Sequence, residues 1–292
     1  SAGLSVKVHQ HLPRPPVMKV SSPRGWPYSA NASPEPLPKS AWVQDLRLMF
    51  PLSEGSTPDG DEISAAELLN WIGSHTLLGE EGPAGDLDSW LAANNSSAMD
   101  ERRLFLAVGE LANPYRLADI GITGMPIIPV RIDGLARTWI DTMDSREVQP
   151  GIHHVTLART EGWWERTLLA IPDIEQMRKM TDWLNAGSTT DWRWSKLAEG
   201  SIRITPAESL QAPTRDMLVW DGDFERVEQS APVPEGPTLD LSEVTVPLFT
   251  RQGIYDHRGR IARCVHYPQR KFHNDLYRRG SSKPWNSVIS TQ

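Results

Sequence analysis

Between residues 251 and 285 the chain sets Arg251, Arg258, Arg260, Arg263, Arg270, Lys271, Arg278, Arg279 and Lys283 among Tyr255, Tyr267, Phe272, Tyr277 and Trp285. Cations interleaved with aromatic rings suit two kinds of partner. Nucleic acid would be met through phosphate contacts and base stacking. A carboxylate-rich protein surface would be met through ion pairs, with the rings as apolar anchors. Arg outnumbers Lys 23 to 7 in the whole chain, and Arg is the cation favoured where carboxylates are bound in a bidentate, partly desolvated geometry.

Two further places carry reactive side chains. His153 and His154 enter a stretch with strand composition, where adjacent residues face opposite sides, so at most one of them points into a given site. Cys264, the only cysteine, lies beside Arg263 and near His266, a setting that lowers a thiol pKa, although a single strand cysteine usually serves as a small core residue. The acidic runs at 59–62 and 221–223 read as Gly-containing turns, since neither continues into the spacing of a calcium loop. No nucleophile elbow, dinucleotide fingerprint, phosphate loop or H-E-x-x-H motif occurs. The expectation is a chain without catalytic residues, metal ligands or cofactor, more a binding subunit than an enzyme.

One resemblance bears on an enzymatic alternative. The stretch GIHHVTLAR, residues 151–159, resembles the opening strand of the vicinal oxygen chelate superfamily, in which a strand histidine binds a divalent metal. DHRGRIARC, residues 256–264, is similar to that superfamily's closing segment. The resemblance implies a small-molecule metalloenzyme with a ligand at His153 or His154. The chain departs from the pattern at Arg263, which stands where the family places a metal-binding Glu.

Charge is distributed by segment. Residues 1–40 carry five Lys or Arg against Glu35, or +4, and residues 251–292 carry nine against Asp256 and Asp275, or +7. Residues 41–250 hold 16 basic and 34 acidic side chains, or −18. An acidic body between two cationic ends attracts those ends to itself or to another copy, and it repels nucleic acid. The chain divides on this basis into a Pro-rich extended arm (1–40), a helical subdomain (41–120), an acidic α+β body (121–250) and a basic aromatic hairpin and tail (251–292). Arg14, Arg24 and Trp26 in the arm join Arg251, Arg258, Arg260, Arg263, Arg270, Lys271, Tyr277, Arg278, Arg279 and Trp285 in the tail as the expected partner contacts.

The elements that would position these residues follow from apolar periodicity. Residues 40–50, 63–78, 86–95 and 98–112 predict helices. The β-branched stretches at 125–133, 153–159 and 167–171 predict strands, with a turn at Glu161 and Gly162. A helix follows over 172–187, then short strands near 201–205, 216–222 and 245–249. A final hairpin turns at His257–Gly259. Trp163, Trp164, Trp192 and Trp194 read as core or interface packing.

The class is α+β, helices early and mainly antiparallel sheet late. One cysteine, no apolar run of about 18 residues and no hydrophobic segment near residue 1 suggest a cytoplasmic or virion protein without a membrane partner. The function expected is a structural subunit of a large assembly, a virus capsid or capsid-decorating protein. It would bind copies of itself or a companion protein, with nucleic acid as a further partner for the tail.

Overall fold

The computed structural model describes residues 18–19, 37–53, 55–79, 82–143, 153–185, 191–228, 234–251 and 253–292. The expected arm therefore lies largely outside the described residues, Arg14, Arg24 and Trp26 with it. Of its described parts, residues 37–40 begin with the buried Leu37, and Met18–Lys19 (β1) pairs antiparallel with the outer edge of a hairpin formed by Trp42–Asp45 (β2) and Leu48–Pro51 (β3).

That hairpin replaces the helix expected over 40–50. Trp42 and Val43 are both buried because they face opposite sides of a sheet with cover on each side. The reversal depends on Leu46, which adopts a left-handed φ of 56°. The Leu46 N–H donates to the Ile122 carbonyl at 2.7 Å, and its carbonyl accepts from Gln44 Nε2 at 2.8 Å. Distant partners hold a conformation that leucine disfavours.

The next two helices form, but the first is shorter than the expected 63–78, because residues 76–78 pair as a strand. Ser64 caps Ala65–Gly73 (α1) by accepting the Glu67 N–H. The chain then runs through the paired strands Thr76–Gly79 (β4) and Gly82–Asp86 (β5). Asp86 caps Leu87–Ala93 (α2). The helix expected over 98–112 does not form. Phe105–Ala107 (β6) is a strand between two 3-10 turns, because Phe105 and Ala107 pack on one face of the sheet and Leu106 on the other. A short apolar run buried on both sides has no period by which to tell helix from strand. Asn113 and Pro114 start Pro114–Ile120 (α3), and Gly121 ends it at φ 79°.

Two long antiparallel strands, Met125–Met143 (β7) and His153–Ala170 (β8), form the spine. The turn expected at Glu161–Gly162 is instead an irregularity inside β8. Asp133 pairs with Trp164 and Leu135 with Arg159, so Thr160–Trp163 bulges opposite Gly134. Gly162 has φ 75°, and a Cβ there would lie 2.7 Å from the Val227 carbonyl oxygen, so only glycine fits. The bulge divides the spine into a half inside the central sheet and a distal half.

Ile174–Leu184 (α4) begins at a reciprocal cap between Asp173 and Gln176. Short strands follow at Trp192–Ser195 (β9), Ser201–Arg203 (β10), Leu218–Trp220 (β11), Glu225–Val227 (β12), Thr238–Asp240 (β13), Val246–Phe249 (β14) and Ile254–Asp256 (β15). Gln269–Lys271 (α5) leads into a π-helical turn at Phe272–Leu276, and Ser281–Lys283 (β16) pairs with β15. The central half of β7 pairs with β2, β8 and β10, and β13 extends the sheet beyond β10.

Burial follows the two-residue period of the strands. Val43, Leu106, Ile128 and Leu169 meet α1 and α2 on one face, while Trp42, Phe105, Ile127 and Leu168 meet α3 and α4 on the other. Mixed helices over a mainly antiparallel sheet establish the α+β class. No helix among the described residues is long and apolar enough to cross a membrane.

Candidate partner-binding face

The distal half of β7 and β8 carries the C-terminal segment. Ile254 of β15 pairs with Ile140 of β7, and the hairpin tip closes with a His257–Arg260 bridge in which Arg258 (φ 53°) and Gly259 (φ 84°) make the tight turn expected there. The return chain lies along the same edge of β7. Ala262 accepts the Trp139 N–H at 3.0 Å and the Thr138 hydroxyl at 2.9 Å, and Cys264 N–H donates to the Arg137 carbonyl at 2.9 Å.

Aromatic side chains fasten the segment from inside. Phe272 is fully buried and stacks on Trp139 at 5.5 Å, with Tyr255 edge-on at 5.2 Å. Trp139 Nε1 donates to the Tyr267 carbonyl at 2.8 Å. Further on, Trp285 packs against the main core, Ile289 is buried in it, and Gln292 N–H donates to the Lys196 carbonyl. The basic aromatic tail is thus part of the body, because its apolar side chains complete clusters that β7 and β8 leave open.

The thirteen expected contact residues separate accordingly. Arg258, Arg260, Arg270, Lys271, Arg278 and Arg279 are exposed. Arg251 is exposed and pairs with Asp191 at 3.3 Å. Arg263 is a correction: it is 3% exposed and lies inside the molecule, with Nη1 donating to Glu225 at 3.2 Å, Nη2 donating to Thr160 Oγ1 at 3.0 Å, and the guanidinium 5.2 Å from the Trp163 ring. Burial pulls its pKa below the ordinary arginine value, and Glu225 opposes that shift. Tyr277 and Trp285 are half-buried anchors, so they serve the fold before any partner.

Several cations lie over rings at the surface: Arg260 over Trp220 at 5.6 Å, Lys283 over Phe224 at 5.7 Å, Lys271 and Arg215 over Tyr267 at 5.9 and 4.8 Å. Phe224, at the tip between β11 and β12, is 61% exposed. This hairpin belongs to the same face. The sequence predicts a strand near 216–222 and a turn at 221–223 but gives no signal for their place beside the C-terminal segment, which comes from tertiary packing.

His153 is 2% exposed and built into the same structure. Its Nδ1 donates to the Thr142 carbonyl at 3.0 Å, which leaves Nε2 to accept from His273 Nδ1 at 2.9 Å. Its N–H donates to Gln269 Oε1, and Phe272 and Tyr277 pack against the ring. Burial first and the neighbouring His273 second lower its pKa to about 4. His154 points the other way, stacked on Phe249 at 4.7 Å.

The residues behind the metalloenzyme resemblance do not form a ligand set. Both ring nitrogens of His153 are engaged, and Arg263 is paired with Glu225. Arg263 stands opposite Thr138 and His153 opposite Met143, on the two sides of a register irregularity between Trp139 and Met143. Among the described residues no three His, Cys, Asp or Glu side chains are grouped to hold a metal. Cys264 is buried. Comparison with family models, curated proteins and solved structures finds no match to the chain.

Proposed function

We propose that the protein is a structural subunit of a large assembly, a capsid or capsid-decorating protein, and that its cationic C-terminal face docks on acidic surfaces of neighbouring copies or of a companion protein. The observation that supports this reading is the division of labour in the C-terminal segment. Its aromatics turn inward, and Arg258, Arg260, Arg270, Lys271, Arg278 and Arg279 remain outside on a folded support. Cations held on a folded segment lose less entropy on docking than cations on a free tail. The −18 of residues 41–250 supplies the complementary surface on a second copy.

The acidic balance of residues 41–250 favours a protein partner over nucleic acid, because it repels phosphate and attracts the cations of a second copy. The choice of a shell rests on the Pro-rich cationic composition of residues 1–40, which suits an arm reaching across subunits. A virion or the cytoplasm is the corresponding location.

Sedimentation velocity over a range of concentration and salt tests the proposal. The intact chain is expected to assemble at low salt and to dissociate toward 1 M salt, where the screening length falls to about 3 Å. Reversing Arg270, Lys271, Arg278 and Arg279 to Glu together is expected to give monomers with an unchanged circular dichroism spectrum. An intact chain that stays monomeric at every concentration overturns the reading.

A further inference from the structure

The β11–β12 hairpin ends in a turn that holds an apolar side chain in water. The Asp221 carboxylate accepts the N–H groups of Asp223 and Phe224 at 2.9 and 2.8 Å, and the Asp221 N–H donates to the Phe224 carbonyl at 3.1 Å. The turn is therefore fixed, and the Phe224 ring is 61% exposed with the exposed Asp221 and Asp223 beside it in the chain. A second tip abuts this one. A Cβ at Gly259 would collide with the Trp220 ring and lie 3.4 Å from the Asp223 carbonyl oxygen, so the turn that carries the exposed Arg258 and Arg260 lies against the acidic turn.

A cleft of about 150 Å³ opens beside Phe224, with Ala158, Ile261 and Val288 as apolar wall. A cavity of roughly that size accommodates a benzene ring. Most charged groups around it are matched by neighbours. Arg159 makes two hydrogen bonds to Glu199, Arg263 pairs with Glu225, and Lys283 stands 3.7 Å from Asp256. The N–H groups of Phe224 and Asp223, and after them Arg226, hold the Asp221 carboxyl below its ordinary pKa. What the cleft lacks is an apolar guest, and the exposed ring beside it lacks an apolar host. A surface that carries both halves of one contact fits a second copy of itself.

We infer that two copies of the chain dock about a two-fold axis at these tips, Phe224 of each entering the cleft of the other, with Asp221 and Asp223 of one copy facing Arg258 and Arg260 of its partner. Opposite charges on adjoining tips set the register of such a pair, and the buried ring supplies its anchor. The inference rests on the assembly reading and names the contact by which copies pair.

Sedimentation velocity at low salt on three variants of the full chain tests the inference. All three change exposed side chains, and each is expected to keep the thermal midpoint of the intact protein. Phe224→Ala is expected to weaken self-association about tenfold or more. Asp223→Arg and Arg258→Asp each set like charges across the axis and are each expected to weaken it about tenfold. Aspartate tolerates the left-handed backbone at position 258. Mixed in equal amounts, these two variants are expected to associate as tightly as the intact chain, because both contacts of the mixed pair regain opposite charges. Unchanged self-association of Phe224→Ala or Asp223→Arg, or no recovery in the mixture, overturns the two-fold contact while leaving the assembly of the intact chain in place. An intact chain that is monomeric at every concentration overturns both.

Discussion

His153 shows how one residue couples the C-terminal segment to pH. It is neutral in the folded protein, with a pKa of about 4, whereas an unfolded histidine titrates near 6.5. Above pH 6.5 neither state binds the proton and His153 costs nothing. As pH falls from 6.5 toward 4 only the unfolded chain takes the proton, so stability declines and then levels off below about 4. The full difference amounts to about 3 kcal/mol. Urea midpoints measured between pH 7 and 4 are expected to drop in the intact protein, and the drop is expected to be smaller in His153→Gln. Identical pH profiles for the two would show that this imidazole is not the group responsible. Arg263 makes a related point: a guanidinium placed over Trp163 and against Glu225 is a structural part of the interior, although its neighbours in sequence are surface cations.

Among the elements, the short α5 and the π-helical turn after it matter most, because they carry Phe272 onto Trp139 and so complete a cluster of six buried residues. Phe272→Ala removes a fully buried ring and is expected to cost about 4 kcal/mol. The loss is expected to concentrate in the C-terminal segment. Limited trypsin digestion, read by mass spectrometry, is expected to cut after Arg270, Lys271, Arg278 and Arg279 far faster in the variant. Equal cutting rates would mean that Phe272 does not hold the segment. The bulge at Thr160–Trp163 works at the same scale, since it separates the spine half in the central sheet from the half that receives this segment.

Across the whole molecule the opposed charges act in two ways. Arg251–Asp191 and Arg263–Glu225 join the cationic C-terminal segment to its own acidic body, and six further cations on that segment face outward. Exposed pairs such as Arg251–Asp191 contribute little stability, typically under about 1 kcal/mol, so the outward cations are better suited to choosing a partner than to holding the fold. Residues 1–36 are expected to matter for assembly and little for folding. A chain beginning at Leu37, which is buried, is expected to keep its thermal midpoint within a few degrees and to lose its oligomers on a sizing column. Oligomers of unchanged size would remove the arm from the assembly reading.

Composition and local pattern did not show β8 running unbroken through Glu161–Gly162, but were enough for the α+β class, the capped starts of α1, α2 and α4, the strand character of 125–133, 153–159 and 167–170 and the turn at Arg258–Gly259. Each of these rests on side chains close together in sequence: Ser64 with Glu67, Asp86 with Ser89, Asp173 with Gln176. Residues 40–50 and 98–112 misled the helical period because a sheet covered on both faces buries consecutive residues, and that cover comes from helices far along the chain. The cationic tail was legible as charge, but its seating was not. Trp139, Phe272 and Tyr255 meet only after β7 and the C-terminal segment are brought together. Sequence determined which groups this protein carries and its local turns and caps. Tertiary structure alone decided which of those groups face water, because burial depends on contacts between residues more than a hundred positions apart.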